Sequence, residues 1–152
     1  YLNLNVLGIN DEKSFICASH IGRGIGIVDV LKKFPSLLKL NINMIPRILV
    51  KKHVGVSDHL FSRDGDPHER VYDIFLEMAA YAKKHLDVAR EMRSELPLDK
   101  NVHVAFLQAI EAYTWLEELE KYNFNIFEQK LKNISYLSIS RKIVKAGKNK
   151  YF

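Results

Sequence analysis

The chain has 152 residues, 47% of them hydrophobic, and its 23 Lys and Arg against 18 Asp and Glu give a net charge of +5. That length and apolar content are enough to bury one core, so a single domain over residues 1–152 is expected. The lone cysteine, Cys17, excludes an internal disulfide framework. No run of about 18 apolar residues is present to span a bilayer, and the charge fits a mitochondrial matrix protein, an anionic membrane surface or a nucleic acid without choosing among them.

In chain order, residues 1–8 read as the last turns of a helix closed near Gly8, with Asn10 and Asp11 as a turn and N-cap for the next. Over residues 18–37, Ile21, Ile25, Val28, Leu31 and Phe34 recur at three- and four-residue steps, which predicts a helix with one buried stripe ending near Pro35. Gly22, Gly24 and Gly26 fall inside it. Each costs about 1 kcal/mol relative to Ala, so they call for a reason such as the close approach of a helix or a ligand. A loop then leads to Pro46, a short helix covers residues 47–53 before Gly55, and Ser57 is a further N-cap. Residues 62–67, Ser-Arg-Asp-Gly-Asp-Pro, are dense in turn formers.

From residue 67 to 96, Val71, Ile74, Phe75, Met78, Ala82, His85, Leu86, Ala89 and Met92 keep helical spacing. Pro97 interrupts, Asp99 is a candidate cap, and Val102, Ala105, Phe106, Ala109, Tyr113, Leu116 and Leu119 define the next helix. A polar break at Tyr122 and Asn123 precedes a last helix from about Leu131 through Leu137 and Ile143 to Ala146. Strand-like alternation is scarce, and the fold class is all-α.

Familiar chemical motifs are missing. The three glycines follow no strand and precede no Lys-Ser or Lys-Thr, so they are not a phosphate loop. Asp64-Gly65-Asp66 lacks the closing Glu of a calcium loop and reads as a turn. Six histidines show no His-Glu-x-x-His, which argues against zinc. Cys17 stands at helical spacing from His20, yet an isolated Cys is ordinarily inert packing. Two basic clusters remain: Lys32, Lys33, Lys39, Arg47, Lys51 and Lys52, bordering apolar residues 42–50; and Arg141, Lys142, Lys145, Lys148 and Lys150. They read either as solvated faces that complement a helix C-terminus or as a peripheral contact with anionic lipid. The aromatics are spent on helix stripes, so no nucleic acid partner is expected.

Ile21-Gly22-x-Gly24-x-x-Ile27-x-Asp29-Val30-Leu31-Lys32-Lys33, followed by Leu40-x-Ile42-x-Met44-Ile45-Pro46 and Gly55-Val56-Ser57, resembles the second half of a squalene/phytoene synthase domain. The resemblance implies a helical prenyl-synthase-like (isoprenoid synthase) fold, present as the C-terminal portion and incomplete at its N-terminus. In active synthases two aspartates one turn apart hold Mg²⁺, which requires carboxylate oxygens; the matching positions here are Lys33 and Leu37. Exchanging attraction for repulsion is worth about 4 kcal/mol per charge pair at ~4 Å and an effective dielectric of about 20. The resemblance therefore implies a degenerate diphosphate and metal site at Asp29, Lys32, Lys33 and Leu37, with no catalytic residue and no cofactor. It also implies a cavity lined by Gly22, Gly24, Gly26 and Ile25.

Ala18-Ser19-His20-Ile21-Gly22, Val71-Tyr72-Asp73-Ile74, Ala105-Phe106-Leu107-Gln108 and Phe124-Asn125-Ile126-Phe127 resemble the non-catalytic branch of that family that serves assembly of mitochondrial respiratory complex I. That likeness implies complex I subunits or other assembly factors as partners. It also implies a peripheral place on the matrix side of the inner membrane, with Arg47, Lys51, Lys52, Arg141, Lys142 and Lys145 toward anionic lipid. The alternatives are an active head-to-head prenyltransferase, using prenyl diphosphates and Mg²⁺ on a metal site supplied upstream, and a general helical interaction module.

Overall fold

The computed structural model describes residues 8–55, 60, 67, 69–93, 95–96 and 106–149, and every regular element among them is helical. Helix α1 spans Glu12–Leu38, α2 Arg47–His53, α3 Glu69–Arg93, α4 Gln108–Lys121 and α5 Tyr136–Asn149, with a 3₁₀ turn at Gln129–Asn133 before α5. The predicted helix over residues 1–7, the caps at Ser57 and Asp99, the turn at 62–66 and the start of a helix at Val102 and Ala105 lie outside the described residues.

Helix α1 starts where the sequence puts its cap. Asp11 Oδ2 accepts the Ser14 N–H at 2.9 Å and the Ser14 hydroxyl at 3.0 Å, satisfying donors that a helix N-terminus leaves unpaired. Those two bonds hold the Asp11 carboxyl below its ordinary range. The helix runs through Pro35 to Leu38 rather than stopping near the proline. Pro35 lies in the last turn, where its ring removes a single ladder bond. Phe34 anchors that turn edge-on against Phe75 and Phe127, with centroids 5.7 and 6.5 Å away. The chain turns at Asn41, whose φ is 56°, with the Leu40 and Ile42 amides both donating to the Leu37 carbonyl.

The core is the contact of α1 with α3. Cys17 Sγ donates to the Ala89 carbonyl at 3.4 Å, His20 meets His85, Gly24 sits against Leu86 and Ala82, and Phe34 meets Phe75. Partner numbers fall along α3 as they rise along α1, so the two helices are antiparallel. Helix α4 closes over both, burying Ala109, Ala112, Tyr113, Leu116 and Leu119 in the same cluster. By length and composition alone α1 could also cross a bilayer; here its stripe of Cys17, Ile21, Val28, Leu31 and Phe34 is buried in this core.

The predicted final helix is two elements. Leu131 is buried and fixes the 3₁₀ turn, whose Lys130 amide donates to the Glu128 carboxylate and whose Leu131 amide donates to the Glu128 carbonyl. Ile134 is extended, and the Ser135 carbonyl then accepts the Ser138 and Ile139 amides to open α5.

The three glycines separate in energy. A Cβ on Gly24 would stand 2.6 Å from Leu86 Cγ, 2.7 Å from its Cδ2 and 3.1 Å from the Ala82 carbonyl oxygen, whereas at Gly22 and Gly26 nothing lies within 4 Å. Gly24→Val is expected to lower stability by about 2 kcal/mol or more through overpacking. Gly22→Ala and Gly26→Ala are expected to raise it by up to about 1 kcal/mol. Urea unfolding of the three variants checks the opposite signs.

Candidate functional site

Successive α-helical residues are about 100° apart, and this decides which side chains α1 presents together. Asp29, Lys33, Gly22 and Gly26 share the face turned away from α3. Asp29 Oδ2 and Lys33 Nζ are 3.6 Å apart on that face, an i,i+4 ion pair open to solvent. Leu37, one turn on, is half-buried. Lys32 points elsewhere: its Nζ donates to Glu111 Oε1 of α4 at 2.8 Å and lies 5.9 Å from the Trp115 ring centroid. The four residues expected to form one degenerate diphosphate site thus divide into an outward trio and a lysine committed to α4.

The expected cavity wall divides as well. Gly24 is buried against α3, Gly22 and Gly26 are exposed, and Ile25 is half-buried between them. A two-residue step rotates about 200° around the axis, so Gly24 cannot line one surface with Gly22 and Gly26. Close helix approach accounts for Gly24 alone.

The outward face does not fit Mg²⁺. Its Asp29 carboxylate is already paired with an ammonium, while a hard dication asks for several oxygen ligands. Among the described residues no group of three or more His, Cys, Asp or Glu side chains converges on a metal position.

The basic residues sort into tethers and free cations. Lys52 and His53 of α2 both reach Glu77 of α3, at 2.7 and 2.6 Å; the Lys52 bond, then the His53 bond, hold the Glu77 carboxyl below its usual range. Lys142 of α5 donates to Glu117 of α4 at 2.6 Å. Arg47, Lys51, Arg141 and Lys145 are exposed and form no ion pair among the described residues. Beside them Leu40, Ile42, Met44 and Ile48 form one run of exposed apolar side chains, and Leu137 and Val144 a second on α5. No Asp or Glu occurs between residues 30 and 57 or after Glu128.

Two clusters could not be assembled from the sequence. His20 and His85 bring their Nδ1 atoms to 3.0 Å, so one ring donates and the other accepts. The Tyr113 hydroxyl donates to Asp87 at 2.7 Å while the Arg90 guanidinium lies 4.0 Å from the Tyr113 ring centroid. Burial, then the Asp87 bond, push the Tyr113 pKa up. Both clusters join residues of different helices, so only the helix faces, not their register, were available beforehand. Cys17 is fully buried, and burial pushes its thiol up to about 11; it is a packing residue with no thiolate character at neutral pH.

Residues 1–139 match the family model described as squalene/phytoene synthase, and the chain belongs to the squalene/phytoene synthase family, whose fold is the helical isoprenoid synthase fold. Relatives within it carry a more particular name. The chain is 33% identical over 131 residues to the Rattus norvegicus protein called NADH dehydrogenase (ubiquinone) complex I, assembly factor 6, covering 86% of this chain and 38% of that protein. It is 32% identical over 131 residues to the Homo sapiens protein of that name, with the same shares, 86% and 38%. With the Dictyostelium discoideum homolog it shares 35% over 150 residues, 98% of this chain and 39% of that one. The chain thus spans about two fifths of the length of these relatives. No solved structure matches it significantly.

The histidine pair makes stability depend on pH. Burial first, then the charges of His20, Arg23 and Lys84, lower the His85 pKa. The unfolded chain, with His near 6.5, therefore binds the proton more readily than the folded one. Stability contributed by neutral His85 is complete above about pH 7 and declines as pH falls below about 6.5. The urea midpoint is expected to be higher at pH 7.5 than at pH 5.5, a window above the titration of Glu77, and His85→Gln is expected to narrow the gap.

Proposed function

We propose that the chain belongs to a non-catalytic member of its family that assists assembly of mitochondrial respiratory complex I, working as a peripheral protein on the matrix side of the inner membrane. The outward face of α1 carries this reading. Where the family resemblance calls for two metal-holding aspartates there are Lys33, occupied by Asp29, and an apolar Leu37. Ionising a prenyl diphosphate with Mg²⁺ needs carboxylates that hold the cation, and an ammonium at that place opposes it by about 4 kcal/mol per charge pair at ~4 Å. The relatives' names support the assembly role. Such a surface grips other molecules by shape, apolar contact and charge, with complex I subunits or other assembly factors as partners.

Membrane contact would fall to the free cations. Arg47 and Lys51 stand with exposed Ile48, and Arg141 and Lys145 with exposed Leu137 and Val144. Each basic residue near an anionic surface contributes about 1 kcal/mol; Lys52 and Lys142, held by Glu77 and Glu117, contribute less.

Incubated with farnesyl or geranylgeranyl diphosphate and Mg²⁺, the protein is expected to release no pyrophosphate above the uncatalysed rate, and loss of its gene to lower complex I. Turnover at enzyme-like rates would establish a prenyltransferase instead. In co-sedimentation with vesicles of phosphatidylcholine and an anionic phospholipid, the pair Arg141→Glu and Lys145→Glu is expected to weaken binding by about 2 kcal/mol or more. Lys52→Gln is expected to change it little.

A further inference from the structure

We infer that the cleft where α1, α4, the 3₁₀ turn and α5 meet binds an amphiphile with one alkyl chain and an anionic head, of the fatty-acid or single-chain phospholipid class. The cleft encloses about 360 Å³, near the lower end of the roughly 300–1,000 Å³ usual for small-molecule sites. It has room for one chain, not for the two of an ordinary phospholipid or for a helix.

Its lining is divided along its depth. Buried Trp115, Ile126 and Leu131 make the floor, and Ile139 of α5 continues the apolar surface outward. At the mouth stand Lys32 and Lys132 with Glu111, one positive charge in excess. Lys32 spends one donor on Glu111, leaving two of the three on an ammonium for a head group. Lys132 is exposed and forms no ion pair among the described residues. An anionic head therefore meets two ammonium groups while its chain leaves water for the Trp115 floor, gaining about 0.8 kcal/mol per buried CH₂. A nucleotide is disfavoured, because the Trp115 ring is buried under Lys32 rather than offered for stacking.

The cleft is separate from the degenerate diphosphate face. Lys32 and Lys33 are adjacent in sequence but about 100° apart around α1, and they bond to different helices: Lys33 to Asp29 of α1, Lys32 to Glu111 of α4. On α5, Ile139 turns into the cleft, while Leu137 and Val144, on the opposite side of the helix, are exposed. The ligand could arrive free in solution or from a membrane surface. The inference stands independently of the complex I reading.

Trp115 is the only tryptophan in the chain, so its fluorescence reports on the cleft floor directly. Two probes are needed: 9,10-dibromostearate dispersed below its micellar concentration, and phosphatidylcholine vesicles containing a brominated lysophospholipid with an anionic head. Saturable quenching by dibromostearate supports a freely delivered ligand, and quenching from vesicles alone supports membrane delivery. In either case Lys32→Gln with Lys132→Glu should weaken the midpoint at least tenfold. A far-UV spectrum unchanged by these substitutions excludes unfolding as the cause. No quenching by either probe, equal quenching by the neutral dibromo-alcohol, or an unchanged midpoint in the double variant would overturn the assignment. Vesicle binding that persists without quenching would overturn it too, while leaving the membrane reading intact.

Discussion

The close approach of α1 to α3 sets everything else. Gly24 lets the Leu86 side chain come within a distance that any Cβ would block, with the Ala82 carbonyl packed tightly beside it. The Cys17, His20 and Phe34 contacts with Ala89, His85 and Phe75 lie along the same antiparallel seam. Once that stripe is committed to α3, helical geometry leaves no freedom to the rest of α1. Lys32 turns to Glu111 and Trp115, while Asp29 and Lys33 turn outward with Gly22 and Gly26. The apolar seam thereby determines which charges meet.

Electrostatics then follows from where carboxylates are missing. Residues 30–57 and the chain after Glu128 hold cations without a single acid; among the described residues Lys33 turns back to Asp29 within α1, Lys32, Lys52 and Lys142 reach across to α3 and α4, and the other lysines of these stretches form no ion pair. Lys52 to Glu77 and Lys142 to Glu117 tie α2 and α5 down. Exposed ion pairs of this kind contribute little to stability, typically about 0–1 kcal/mol. Their larger effect is to distinguish fixed cations from those free to meet an anionic surface or head group. Lys32 is intermediate, paired yet lining a cleft floored by Trp115.

Much of the helix pattern could be read from the sequence, because the stripes of α1, α3 and α4 repeat at helical steps over long stretches and Asp11 is a strong cap. Ends were harder. Pro35 is a poor stop signal in a last turn already held by Phe34, and the break at Ile134 depends on Leu131 finding a buried place rather than on any breaker residue. For the site, the outward pairing of Asp29 with Lys33 follows from spacing alone. The reach of Lys32 to Glu111, the His20–His85 contact and the Tyr113–Asp87 bond do not, since each requires the register between two helices. The glycines are close in sequence, but a step of two residues puts Gly24 on the side of the helix opposite Gly22 and Gly26.

Membership of the squalene/phytoene synthase family and the chemistry of α1 thus pull in different directions, and the pairing of Asp29 with Lys33 is where they meet. The most direct measurement is a titration with Mg²⁺ and pyrophosphate followed by the amide NMR signals of Asp29, Lys33 and Leu37. The account predicts that these signals stay where they are as Mg²⁺ and pyrophosphate rise together. Saturable shifts centred on the three residues would contradict it, by demonstrating a metal–diphosphate site on the face that Lys33 and Leu37 should have closed.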